Sequence, residues 1–285
     1  MVVLVGLVIQ ITSEVLKVWN RSSGKLSANA EARIAMELLT QDLETAVFRN
    51  NGLRWLEAQT KNINSVAGYQ PQTIDLLLFA PALDRPKQDS ANNEIPGDIC
   101  AIEYELVYQD PVSGDAGDAE DRIFALHRRV IDPATTFNEL LGEGNQESFA
   151  KWKGRSDFPT SVALTYEKTS DPENYLSGNV ANFRVKFYVI DDTGDEVEVT
   201  TGGDGVLFGG TNANVGASAP DDEFPYPLSY AEITLTILSD EGMEILRNME
   251  LGRGGTGYDA NAGDDVVREH GEVFTRRVNF LARPL

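Results

Sequence analysis

The chain opens on an uninterrupted apolar run, Met1–Ile9 (MVVLVGLVI). Nine such residues fall short of the roughly 20 that span a bilayer as a helix. They also come without the basic stretch and small-residue cleavage site of a signal peptide. Gln10, Thr12, Ser13, Glu14 and Lys17 then mix with Ile11, Val15, Leu16, Val18 and Trp19. Polarity rises while good helix formers persist, which predicts the C-terminal half of a membrane-embedded helix emerging into water, with Trp19 at the interface. Arg21, Ser22, Ser23, Gly24 and Lys25 lower helix propensity and predict a kink or break. Beyond them Ala28, Ala32, Ala35, Met36, Leu39, Leu43, Ala46 and Val47 recur every three or four residues. That spacing predicts a helix with one apolar stripe over 28–50, capped near Asn50, Asn51 and Gly52.

After Gly52 the period changes. Short strands are expected at Thr73–Ala80, Asp98–Tyr108, Arg122–Val130, Ala181–Ile190, Glu196–Thr200, Tyr230–Leu238 and Glu272–Leu281. Phe183, Val185, Phe187 and Val189 alternate with polar neighbours, as do Ile233, Leu235 and Ile237, so these strands belong to a sheet with one solvated face. Ser239–Leu246 fits a short helix or turn. The stretches 84–97, 109–121, 132–160, 201–224 and 252–265, rich in Gly, Pro, Asp and Asn, read as long surface loops or contact regions. The expected fold class is α+β: a long N-terminal α-helix packed on an antiparallel β-sheet domain with long loops. The domain division is a hydrophobic helix at 1–27 and a globular head at 28–285, the head comprising helix 28–50 and a β-rich region 51–285.

Charge sharpens that division. The 285 residues carry 24 Lys+Arg against 45 Asp+Glu, a formal net charge of -21. Lys17, Arg21, Lys25, Arg33 and Arg49 balance Glu14, Glu31, Glu37, Asp42 and Glu44, so the first fifty residues are neutral and the rest carries the whole excess. So acidic a surface repels phosphate and argues against nucleic acid as a partner. A hydrophobic content of 41% is enough for a sizeable core.

Candidate chemistry is sparse. Gly252–Gly257 (GRGGTG) matches G-x-G-x-x-G but lacks the preceding strand and following helix that would aim backbone N–H groups at a pyrophosphate. Asp259, Asn261, Asp264 and Asp265 place oxygens as calcium loops do, yet Gly263 is displaced by one position and His270 stands where a bidentate Glu belongs. The acidic stretch Asp110–Asp121 lacks a ligand spacing, so calcium is a candidate without a preferred loop and no cofactor is expected. His127 falls on a predicted strand and His270 in a predicted polar loop, and no G-x-S-x-G, H-E-x-x-H or C-x-x-C accompanies them, so neither a hydrolase triad nor zinc is supported. The lone Cys100 lies in an apolar strand and reads as a small buried hydrophobe. No enzymatic chemistry is expected. The alternative function is a membrane-anchored extracytoplasmic carbohydrate- or calcium-binding β-domain, with Trp55, Trp152, Tyr175 and Tyr226 as a sugar platform.

An apolar N-terminal helix running into an amphipathic one, followed by an antiparallel sheet, resembles the type IV pilin and pseudopilin superfamily. Ala30–Val47 (AEARIAMELLTQDLETAV), with its Ala-Arg start and later Asp-Leu pair, is similar to the helix of the minor pseudopilin J family of type II secretion. Ala101–Leu106 (AIEYEL) and Phe124–Arg128 (FALHR) resemble that family's two strands, one containing Tyr and the next Leu-x-Arg. Pro227–Ile237 and Val273–Leu285 resemble its later strands. Gln10–Ala46 is also similar to prepilin-like proteins called Verru_Chthon cassette protein C. The resemblance covers residues 1–50 well and the sheet patchily. It implies a pilin-like fold and a structural subunit of a type IV pilus-like filament or type II secretion pseudopilus.

On that reading Val2, Leu4, Val5, Val8, Ile9, Leu16 and Trp19 form the assembly and membrane helix. Ala32, Ala35, Met36, Leu39, Leu43 and Val47 pack the helix on the sheet. The implied partners are other pilin or pseudopilin subunits and an inner-membrane assembly platform, in a homo- or hetero-oligomeric filament. The implied location is the inner membrane with an extracytoplasmic head, then a periplasmic pseudopilus or cell-surface filament. The family's basic leader, peptidase site and early Phe and Glu match no residue of this sequence, so the glutamate's role in registering subunits is carried to none here.

Overall fold

A computed structural model describes residues 2–48, 54–82, 99–114, 118–137, 141, 172–199, 206–209, 212–215, 223–224, 228–253 and 261–281. Helix α1 (Val2–Glu44) comes first. Strands β1 (Arg54–Asn62), β2 (Gln72–Ala80), β3 (Cys100–Gln109) and β4 (Ile123–Ile131) follow, then a single turn α2 (Pro133–Thr135). Next are β5 (Tyr175–Ser177), β6 (Val180–Ile190), β7 (Glu196–Val199), β8 (Val206–Gly209), β9 (Asn212–Val215), β10 (Glu223–Phe224) and β11 (Leu228–Leu238). Helices α3 (Asp240–Glu250) and α4 (Ala262–His270) lead into β12 (Gly271–Asn279). The result is a mixed helix and sheet fold.

One row of strands runs β10-β9-β8-β1-β2-β3-β4-β5. A second block places β6 between β11 and β7, with β12 beyond β11. A single parallel bridge, Thr73 to Phe183, joins β2 to β6; the other ladders are antiparallel. The apolar run in β2 explains its place at this junction. Leu76 and Leu78 pack in the main core with the buried face of α1, while Leu77 and Phe79 face the other way, against Trp55, Ala101 and Ile131. Both faces of β2 are therefore covered, which is why it reads as a continuous hydrophobic run instead of an alternation.

Two expectations about α1 are corrected. The helix passes unbroken through Arg21–Lys25 and ends at Glu44. Gly24 serves a close approach and not a bend: a Cβ there would sit 3.2 Å from the Ser239 Cβ, at the N-cap of α3. The stop at Glu44 follows from a change of partner, since the Val47 N–H leaves the helical pattern and donates to the Phe79 carbonyl of β2 at 2.8 Å. The cap expected at Asn50–Gly52 lies outside the described residues.

Downstream, 201–224 is not a plain loop, because it contributes β8, β9 and β10 to the sheet. Ala262–His270 is likewise helical and not part of a loop. Its Gly263 fits because the first turn of α4 presses on the turn before β2: the Gly263 N–H donates to the Ala67 carbonyl at 3.1 Å, and a Cβ would meet that oxygen at 2.7 Å.

Candidate assembly helix and its seat on the head

From Ala28 onward α1 has a buried face. Ala28, Ala32, Ala35, Met36, Leu39, Leu43 and Ala46 lie in the main core. Val47, beyond the helix end, is half-buried against the Trp55–Phe79 cluster. The spacing of three and four places the helical members on one side of the cylinder, and alanines let the backbone approach the strands beneath. Polar contacts fix the helix along its length. The Asn29 side-chain amide donates to Glu272 Oε2 of β12 at 3.4 Å. The Gly178 N–H donates to Glu31 Oε2 at 3.0 Å, and the Ser177 hydroxyl reaches the same oxygen at 3.4 Å. At the far end the Leu281 N–H donates to the Glu44 carbonyl at 3.3 Å. Burial lifts the Glu31 carboxyl above its ordinary value; the hydrogen bonds from Gly178 and Ser177 oppose that rise and the Asp240 charge adds to it.

The least expected feature is an ion pair inside the core. Arg128 of β4 donates from Nε to Asp42 Oδ2 at 2.7 Å and from Nη2 to Oδ1 at 3.0 Å, a bidentate pair with both side chains 2% exposed. The Tyr104 hydroxyl of β3 donates to the same Asp42 Oδ2. Strand register prepares the site, because Tyr104 and Arg128 stand directly opposite each other on β3 and β4. The helix then supplies the anion. Burial first, and the Asp42 charge second, hold the Tyr104 phenol well above its ordinary range, so it stays a donor. A fork-to-fork pair has one good geometry, so it fixes both the rotation and the axial position of α1 on the sheet. These three residues come from three stretches far apart in the sequence, Ala30–Val47, Ala101–Leu106 and Phe124–Arg128. The helix stripe carries a signal for this site, since an Asp between Leu39 and Leu43 is destined for the core edge and needs a cation.

Over Val5–Ser13 and at Val15 the helix presents a different surface. Val5, Leu7, Val8, Ile9, Ile11 and Val15 are each more than half exposed. Gln10, Thr12 and Ser13 are exposed among them, Thr12 donating to the Val8 carbonyl at 2.8 Å. The side chains of Val2, Leu4, Leu16 and Trp19 lie outside those described. Among the described residues no helix is long and apolar enough to cross a membrane.

The other candidates are placed as follows. His127 is fully buried, its Nδ1 3.2 Å from the Ala125 carbonyl and its ring edge-on to Tyr175, so it faces the core. His270 ends α4 and does not sit in a loop. Cys100 is buried and free of any disulfide. Trp55 is 2% exposed and packs edge-on to Phe79, which removes it from a sugar platform; Trp152 and Tyr226 lie outside the described residues, and Tyr175 is 39% exposed. Asp259 and Gly254–Gly257 also lie outside them. Asp264 and Asp265 occupy the first turn of α4, where Asp265 pairs with Arg268. Asp110 caps its own turn, accepting from the Val112 N–H at 2.9 Å. Among the described residues no group of three His, Cys, Asp or Glu is arranged to hold a metal.

No protein-family model matches the sequence, and no curated protein matches it. Among solved structures the chain is similar to a type IV-like pilin from Thermus thermophilus, at 13% identity over 90% of this chain and 98% of that one, with a TM-score of 0.37, an overlap too loose to assign a fold.

Proposed function

We propose that this chain is a structural subunit of a pilus-like filament: a pilin-like, minor pseudopilin-like protein of the type IV pilus or type II secretion class, assembling through α1. The observation that carries the reading is the division of α1 itself. One helix is seated in the core from Ala28 onward and shows exposed Val, Leu and Ile side chains over Val5–Val15. Unpartnered apolar surface of that kind is at odds with a free-standing soluble helix and calls for an apolar environment outside the chain. The sequence resemblance of Ala30–Val47, Ala101–Leu106 and Phe124–Arg128 supplies the class, and their meeting at Asp42, Tyr104 and Arg128 supports it.

The mechanism is packing without turnover. Before assembly the projecting part of α1 shelters at the inner membrane, with the head on the extracytoplasmic side. In the periplasmic pseudopilus or surface filament it packs against the helices of other pilin or pseudopilin subunits. Lipid and helix contacts satisfy the same side chains, so an inner-membrane assembly platform has only to exchange one apolar environment for another. The exposed Gln10, Thr12 and Ser13 suit helix-to-helix contact, where polar groups find partners, better than hydrocarbon.

Electron microscopy of the full chain tests this. The unmodified protein should form polymers; the double substitution Val8→Asp and Ile11→Asp should abolish them while leaving the circular dichroism of the head intact. Polymers that persist in the double variant, or none from the unmodified chain, would refute the reading.

A further inference from the structure

We infer that the free edge of β12 is a docking site for an extended acidic segment of another polypeptide, which adds to the sheet as a further strand. The ends of the β11–β12 ladder fix which backbone groups face outward. The Phe280 N–H donates to the Ser229 carbonyl at 3.2 Å, and the Ser239 N–H to the His270 carbonyl at 3.0 Å. Bonded and non-bonded positions alternate along an antiparallel pair. With Ile233 opposite Arg276 and Leu235 opposite Phe274, those residues bond across to each other. The intervening Val273, Thr275, Arg277 and Asn279 turn their N–H and C=O groups away from β11. All four are exposed, and among the described strands β12 pairs with β11 alone. Length sets this edge apart. The other strands at the margins of the sheet, β5, β7 and β10, have three, four and two residues, against nine for β12. Short margins offer little to pair with, whereas a long open one is a template for another strand.

Charge selects the occupant. Arg276 and Arg277 are consecutive on this strand, and consecutive residues of a strand point to opposite faces. Arg276 shares the face of Ile233, on the α1 side, and is exposed with no ion-pair partner among the described residues. Arg277 takes the outer face, where its guanidinium carbon lies 3.4 Å from the centre of the Tyr230 ring and Nη2 donates to Glu196 Oε1 at 2.9 Å. Those contacts hold the second cation beside the edge. Glu272, the acid of the strand, is turned to α1, where the Asn29 amide donates to it. A strand laid on this edge therefore meets a cation on either face, in a chain whose net charge is -21. The same arginines oppose a second β12, whose own pair would come alongside, so they exclude a like edge while attracting an acidic one. Main-chain bonds give such a complex its affinity, and the side chains its choice of partner.

Peptide binding to the full chain in detergent tests this. The probe is a fluorescent peptide of alternating valine and glutamate, matched in length to the nine residues of β12; its counterpart has lysine in place of glutamate. The acidic peptide should bind at least about tenfold more tightly than the basic one. Its binding should slow hydrogen exchange at the amides of Val273, Thr275 and Arg277. Thr275→Pro removes an outward N–H without touching the β11 ladder, so it should keep the melting temperature and lose the peptide. Arg276→Glu should keep the fold and abolish the preference for the acidic peptide. A second measurement does not depend on any variant folding: the acidic peptide N-methylated at every amide should not bind the unmodified chain. Absence of binding by the acidic peptide, equal binding of the acidic and basic peptides, no slowing at the three amides, or undiminished binding of the N-methylated peptide would each overturn the inference. Slow exchange at those amides in the peptide-free chain, accompanied by a dimer in sedimentation, would overturn it in favour of a second copy.

Discussion

Asp42 is buried at the edge of an apolar stripe, and Arg128 and the Tyr104 hydroxyl offset its cost. A buried bidentate pair adds modest net stability because both charges lose water, but removing one partner strands the other. Asp42→Ala should therefore destabilise the head by about 3–5 kcal/mol, read as a lowered urea midpoint with an unchanged slope. Asp42→Leu combined with Arg128→Met should recover much of that loss, since neither charge of the pair is then left without the other. If the double variant is no more stable than Asp42→Ala, the pair is not the unit described above. What the double variant cannot restore is the single geometry of the fork, so α1 loses a specific register even where stability returns.

At the scale of elements, α1 meets β5 through Glu31, whose carboxyl is held above its ordinary value of 4.5 chiefly by burial. The folded chain thus binds this proton more tightly than the unfolded chain. The resulting stability is fully present below pH 4.5 and is lost as pH rises through the folded value. Glu31→Gln keeps an acceptor for the Gly178 N–H and removes the titration, so unfolding midpoints measured from pH 4.5 to about pH 7 should decline less in the variant. An identical pH dependence would rule the contact out as its source. Periodicity made the docked part of α1 legible, because its core is one-sided, and made β6 and β11 legible for the same reason. It failed at β1, where Trp55, Leu56, Glu57 and Ala58 are all buried and no alternation survives. It failed again at β8, β9 and β10, which are two to four residues long and set among Gly and Asn. Sequence does not reveal which backbone or side chain will pass close by, so it cannot separate the close approaches at Gly24 and Gly263 from a helix break or a loop glycine.

For the whole molecule, a net charge of -21 concentrated outside a neutral N-terminal helix sets two forces against each other. In the proposed filament, apolar contact between helices would favour assembly and change little with moderate salt, whereas repulsion between acidic heads would oppose it and be screened. The Debye length falls from about 30 Å at 0.01 M to about 8 Å at 0.15 M. Heads arranged around a common helical core should then feel each other strongly in the first condition and weakly in the second. Polymer recovered by sedimentation should accordingly increase from low to physiological ionic strength, with the gain levelling off once screening is shorter than the spacing of the heads. A decrease over that range would mean that salt bridges between copies drive assembly, placing the principal contact on the charged head and away from α1.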